Sequence, residues 1–138
     1  MLSCCFFGHS DSSFDIYDII EVKIRAVIED NNVKNFYVGN YGNFDKMVIR
    51  ALRGIKCGYP QINYNIVLPY LPKDNSLAEE SLFPEGIEYI PERFAIPFCN
   101  RWMIEHSDFV IVNVYRSYGG AAKYLKMAQR KCKKVIYI

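Results

Sequence analysis

Phe109-Val110-Ile111-Val112-Asn113-Val114-Tyr115 runs directly into Arg116-Ser117-Tyr118-Gly119-Gly120, and a helical pattern burying Ala121, Leu125, Ala128 and Cys132 follows. An apolar run of strand length, a glycine turn and a helix start are the parts of an α/β unit. At such a junction glycine lets the backbone approach a ligand closely. The free N–H groups at the helix start point at an anion. The same arrangement occurs twice more. Cys4-Cys5-Phe6-Phe7 leads into Gly8-His9-Ser10, and Val33-Lys34-Asn35-Phe36-Tyr37-Val38 leads into Gly39-Asn40-Tyr41-Gly42. One such turn carries little information. Three in one chain imply a single composite pocket at the C-terminal edge of a parallel sheet.

The remaining elements fill in around these units. Residues 2–7 read as a buried strand. Residues 14–30 read as a helix with Tyr17, Ile20, Ile24, Val27 and Ile28 on one face, capped by Asp11, Ser12 or Ser13 and ended by Asn31-Asn32. Residues 33–38 form the second strand. Phe44, Met47, Val48, Ala51, Leu52 and Ile55 then repeat at three and four, and Gly58 and Pro60 close that helix. A third strand over 62–68 is stopped by Pro69 and Pro72. Residues 69–97 are irregular, broken by five prolines and Gly86. That stretch reads either as a lid or binding loop, or as a surface loop with a short extra strand near Ile87–Ile90. A helix from about Phe98 to His106 leads through Ser107-Asp108 into the fourth strand, 109–115. The last helix begins near Gly120, and Val135–Ile138 is a final strand. Short buried strands alternate with helices, so the fold is α/β: one domain over residues 1–138, with a mostly parallel sheet and helices on both faces.

The chain has 138 residues, room for one domain with a core and too few for two. Its net charge of +2 argues against a chain built chiefly to hold nucleic acid. The 11 Tyr and 9 Phe residues serve cores and base stacking equally, so they do not separate the two. Five cysteines, an odd number with no C-x-x-C and several of them within apolar segments, read as buried free thiols in a reducing compartment. Only His9 and His106 could join them on a metal, and no zinc spacing is present, so no metal site is expected. The N-terminus lacks the basic start of a signal peptide, and no apolar run approaches the roughly 20 residues of a membrane span. These features lead to the expectation of a cytoplasmic protein without a membrane partner.

Several residues at the glycine turns suit a phosphorylated ligand. Gly8 permits close approach, and His9 and Ser10 could donate to a phosphate or ribose; the same three residues also suit a tight turn with a helix cap. The segment is not G-x-G-x-x-G, so a standard dinucleotide cofactor site is not indicated and no cofactor is expected. Gly39, Asn40 and Gly42 offer unusual backbone angles and amide donors. Asp45, in the first turn of the next helix, could be held ionised by the macrodipole and accept a ribose hydroxyl, or simply cap its helix. Ser117, Gly119 and Gly120 form an anion nest. Asn100 and Arg101, on the preceding helix, could reach the same edge, Arg101 as a bidentate phosphate partner; Arg101 equally fits a surface arginine on an amphipathic helix. Lys123, Lys126 and Arg130 share a face of the last helix, with Lys131, Lys133 and Lys134 nearby; this stripe fits a solvated face better than a nucleic-acid contact. There is no G-x-S-x-G elbow or nucleophilic triad, and nothing brings a second acid to Asp45, Asp108 or Glu79-Glu80. No catalytic residue is assigned.

In chain order these pieces resemble the SLOG superfamily, a Rossmann-like group, and within it the small bacterial YpsA-like proteins. The residues that carry the resemblance are Phe6-Phe7-Gly8-His9, Val38-Gly39-Asn40-Tyr41-Gly42-Asn43-Phe44-Asp45, Asn100-Arg101-Trp102-Met103 with Ser107-Asp108, and Tyr118-Gly119-Gly120-Ala121-Ala122 with Ala128 and Lys134-Val135-Ile136. The resemblance spans almost the whole chain. It implies a Rossmann-like domain that holds a nucleotide or nucleotide-derived ligand at the strand ends. LOG-type phosphoribohydrolases in the superfamily carry P-G-G-x-G-T-x-x-E. Here Gly119-Gly120 match the paired glycines, but Ala122, Lys123 and Lys126 replace the next glycine, the threonine and the catalytic glutamate. Arg101 and Met103 fit those enzymes' arginine–methionine segment. Other members are sensors in antiphage signalling or proteins that hold single-stranded DNA. The resulting expectation is a nucleotide-binding sensor or sequestering protein that forms a homo-oligomer. An N-glycosidase acting on nucleoside monophosphates and a single-strand binder are the alternatives.

Overall fold

The computed structural model describes residues 1–71, 74 and 76–138. Six strands form one sheet: β1 Leu2–Gly8, β2 Val33–Val38, β3 Asn63–Val67, β4 Ser81–Leu82, β5 Phe109–Asn113 and β6 Lys134–Tyr137. Their spatial order is β4-β3-β2-β1-β5-β6, and every pairing is parallel. Four helices cover it: α1 Tyr17–Asn31, α2 Asn43–Gly58, α3 Glu92–Glu105 and α4 Gly120–Arg130.

Because strand side chains alternate between faces, β1 feeds two cores. Cys4 and Phe6 join Ile20, Ile24 and Val27 of α1 and Met47, Val48 and Leu52 of α2. Cys5 and Phe7 join Cys99 and Met103 of α3 and Tyr124 and Ala128 of α4. The interior strands β1 and β5 are buried on both faces, which explains their near-continuous apolar runs.

Helix boundaries follow local chemistry. Of the three candidate caps, Ser13 serves: its hydroxyl accepts from the Asp15 N–H at 3.2 Å, heading a 3-10 turn at Phe14–Ile16 that runs into α1. Ser12 is buried and donates to the His9 carbonyl at 2.8 Å instead. Asn32 ends α1 in the left-handed conformation, with φ 56°.

The structure departs from the sequence reading mainly in the irregular stretch. No strand forms at Ile87–Ile90. Residues Ile87–Tyr89 make a 3-10 turn behind Gly86, pinned by buried Ile87. The extra strand is β4, whose Ser81 and Leu82 pair with Ile66 and Val67. Glu80, beside it, accepts two hydrogen bonds from Arg53 of α2, at 2.8 and 2.6 Å, and one from Tyr64 of β3. α3 begins six residues before the expected Phe98 and runs through Pro97. An interior proline forfeits one helical hydrogen bond. The buried stripe Ala95, Cys99, Met103 crosses it at a spacing of four and holds the helix together. Pro72, expected to help stop the third strand, lies outside the described residues. Cys4, Cys5 and Cys99 are the buried free thiols expected, but Cys57 and Cys132 are exposed; Cys132 lies past the end of α4 at Arg130 and so does not share that helix's buried face.

Candidate functional site

Strand order reverses at β1. The chain lays β2, β3 and β4 to one side and returns with β5 and β6 on the other. Loops leaving β1 and β5 therefore diverge, and a crevice opens between them at the strand C-termini. A cavity of about 300 Å³ occupies that position.

The first loop, after β1, forms the floor of the cavity. A Cβ at Gly8 would lie 2.1 Å from Cγ of Phe44, so glycine here lets the start of α2 seat against β1. His9 is buried, and its Nε2 accepts the Tyr115 N–H at 3.2 Å. That bond leaves the ring proton on Nδ1, as the donor His9 retains. Burial, reinforced by Arg116, depresses the His9 pKa, so the ring is neutral. The β1 and β2 loops are fused. Asn43 N donates to the Ser10 carbonyl at 2.8 Å, and its side chain donates to the Ser12 carbonyl at 3.2 Å. Gly42 makes this possible: its φ is 132°, and a Cβ would sit 2.4 Å from Cα of Ser10.

Asp45 occupies the first turn of α2, half-buried on the cavity wall, and accepts the Tyr41 N–H at 3.0 Å. The macrodipole should keep this carboxylate ionised. Burial outweighs it and raises the pKa to about 6, the Tyr41 bond working in the opposite direction. Across the cavity, α4 starts at Gly120 with Gly119 as N-cap. No side chain caps it and no acid lies in its first turn, so its leading N–H groups are open to an anion. Arg116 stands beside them. It pairs with Asp11, which also accepts from the Tyr115 hydroxyl at 3.1 Å. The Arg116 hydrogen bond is the main cause holding Asp11 down to about 2. Apolar and aromatic groups complete the wall: Phe6, Phe7, Tyr41, Ile96, Met103, Tyr118, Ala121 and Tyr124.

Eight residues singled out in the sequence meet on this cavity: Gly8, His9, Ser10, Gly39, Asp45, Asn100, Gly119 and Gly120. Gly42 stands behind Ser10 as a support, and Asn40 is half-buried away from the wall. Ser117 borders a neighbouring hollow of about 290 Å³, together with Lys123, Lys126 and Arg130. Arg101 is exposed and not on the wall. Successive helical residues are turned by about 100°, so with Asn100 facing the cavity Arg101 faces solvent. The cation on the wall is Arg116, which the sequence showed at the mouth of a glycine turn but which gave no periodicity to draw attention to it. Tyr41, Tyr118 and Tyr124 were likewise missed, because aromatic content serves cores and ligands alike. The other carboxylates are engaged elsewhere. Asp108 accepts the Ser3 N–H at 3.0 Å, at the opposite edge of the sheet, and Glu80 is tied to Arg53. Among the described residues, no cluster of three His, Cys, Asp or Glu could hold a metal ion, and no helix is long and apolar enough to cross a membrane.

Comparison with solved structures finds DNA processing protein A (DprA) from Streptococcus pneumoniae, with a TM-score of 0.72 over 99% of this chain at 17% identity. The chain spans about half the length of that protein, 50%. The likeness bears out a Rossmann-like α/β fold. No family model and no curated protein sequence matches the chain.

Proposed function

We propose that the chain is a SLOG-type domain that binds a nucleotide or nucleotide-derived phosphate ligand in the cavity at the β1–β5 crevice, as a sensor or sequestering protein. One observation carries this reading: the start of α4, which no side chain caps, and the Arg116 guanidinium converge on one cavity whose remaining wall combines aromatic and apolar side chains with His9, Ser10, Asp45 and Asn100. A phosphate takes the N–H groups of the α4 first turn and the charge of Arg116. The His9 Nδ1–H and the Asp45 carboxyl then face the sugar, and the aromatic wall takes the base. The shared architecture with DprA and the order of the glycine turns support placing the chain in this superfamily; that the YpsA-like proteins are the nearer group is read from the residues of those turns alone.

The test uses Gly120→Val. Apart from its chain neighbours and its own helix backbone, nothing lies within 4 Å of a Cβ at Gly120, so the added side chain enters open space at little cost to the fold and, on this reading, blocks the phosphate position. Calorimetric titration with nucleoside monophosphates should show binding to the natural protein and none to a variant that still melts cooperatively. Equal affinity in both would remove the phosphate from α4.

A second reading, nucleoside-phosphate N-glycosidase, draws on Asp45, whose pKa of about 6 lets it hold a proton near neutrality. Against it, the position of the LOG-type glutamate is Lys126, which borders the neighbouring hollow and bears the wrong sign to stabilise an oxocarbenium ion. Base release from a panel of nucleoside monophosphates, abolished in Asp45→Asn, would establish the enzyme. Its absence alongside tight binding favours the binder.

A further inference from the structure

Residues 109–138 hold seven of the 17 Lys and Arg residues and none of the 15 Asp and Glu residues. The net charge of +2 therefore conceals a division, +7 on this segment and −5 on the rest of the chain. Within it, Lys123, Lys126 and Arg130 stand at spacings of three and four on α4, all exposed, opposite the buried Ala121, Tyr124 and Ala128. Like charges at that spacing repel one another. The ion pairs among the described residues join Arg25 to Glu21, Arg53 to Glu80 and Arg116 to Asp11, and none of the three α4 cations takes part.

These cations edge a concavity. With Ser117, Tyr118, Gly119 and Ala122 they border the hollow of about 290 Å³ beside the main cavity, and Tyr118 and Gly119 belong to both walls. A ligand whose phosphate rests on the first turn of α4 can cross Gly119 and meet Lys123 and Lys126. These stand roughly 4–9 Å further along the helix at 1.5 Å per residue.

We infer that this hollow is a second anion subsite, so that the ligand is a nucleotide bearing two phosphate groups, one on each side of Gly119. The inference rests on the reading of the cavity as a nucleotide-phosphate site. Two sources share this chemistry, a small bisphosphate or dinucleotide and a short single strand, and the experiment separates them.

Nucleoside 5′-monophosphates and the matching 3′,5′-bisphosphates are titrated into the natural protein and into Lys123→Gln/Lys126→Gln/Arg130→Gln. All three substituted side chains are exposed, and a thermal melt confirms the fold. The bisphosphate should bind the natural protein at least roughly tenfold tighter than the monophosphate. The triple variant should lose that advantage and keep its monophosphate affinity. Equal binding of the two probes by the natural protein, or an advantage that survives in the triple variant, overturns the inference. If the monophosphate binds and is lost in Gly120→Val while the bisphosphate gains nothing, the second subsite fails and the cavity reading stands. If neither probe binds, both fail. A short oligonucleotide that binds tighter still, with a steeper salt dependence lost in the triple variant, identifies a strand as the source. One no tighter than the bisphosphate identifies a small ligand.

Discussion

Asp45→Asn should make the protein more stable at neutral pH and leave its stability almost unchanged near pH 3. The folded protein holds the Asp45 proton up to about 6, against 3.8 for an ordinary aspartate. Between those values the unfolded chain releases the proton while the folded chain keeps it. Stability from this group is thus fully present below 3.8, falls as pH rises through about 6, and is flat above. At about 1.4 kcal/mol per unit, the shift corresponds to about 3 kcal/mol. The asparagine amide keeps an oxygen for the Tyr41 N–H but has no charge to desolvate. It also forgoes the macrodipole's attraction for a carboxylate, roughly 0.3–1 kcal/mol, so the expected gain at pH 7.5 is about 2 kcal/mol. Urea unfolding followed by circular dichroism, at intervals from pH 3 to pH 8 for both proteins, measures the difference directly. A difference that does not change across this range, or an asparagine variant less stable at pH 7.5, would refute the claim that burial governs this carboxyl. A destabilising group kept on a cavity wall is the pattern of a side chain retained for binding at the expense of stability.

Arg116→Ala should weaken a nucleoside monophosphate at least roughly tenfold in calorimetry and leave the matching nucleoside little changed, as expected for the loss of a charge-assisted contact; equal weakening of both would remove Arg116 from the phosphate. Gly42→Ala should destabilise the fold by at least about 1–3 kcal/mol from backbone strain alone, with the contact on Ser10 adding to it, and unfolding midpoints in urea will show whether it does. Light scattering at micromolar concentration should return a multiple of the 16.1 kDa chain mass; a monomer mass would contradict the proposed homo-oligomer.

The parts of the fold legible in the sequence were those with a long enough period. Fifteen- and sixteen-residue helices and strands buried on both faces leave clear patterns, and α1, α2, β1, β2 and β5 show them. β4 is two residues long, too short for any alternation, and its pairing is held by a side-chain clamp on Glu80 that comes from residues distant in sequence. The start of α3 was hidden by Pro97, because a local rule ends helices at proline while the packing of Ala95, Cys99 and Met103 overrides it. The glycine turns located the cavity, since backbone approach and helix starts are local properties. The cation did not follow from the same reasoning. Arg101 and Arg116 are equally plausible along the chain, and only the rotation about α3 separates them. The raised pKa of Asp45, about 6, was not legible for a related reason: the helix start is visible in the sequence, but the burial of the carboxyl is a tertiary property.

If the cavity takes the proposed phosphate, the bridge between Asp11 and Arg116 sets an admission threshold. Arg116 already holds one carboxylate, and Asp11 stays ionised down to about pH 2, so acidity in any ordinary range never vacates the guanidinium. An incoming anion competes with an internal rival that is tethered, pre-aligned and steadied by the Tyr115 hydroxyl. A singly charged guest such as acetate or chloride offers no more than Asp11 does and gains nothing by exchange. A phosphate approaching its dianionic form carries more charge and further acceptor oxygens for the helix start. It can share Arg116 without evicting Asp11. In the proposed site the resident acid thus filters guests by charge density, most sharply above about pH 6, where a phosphate carries its second charge.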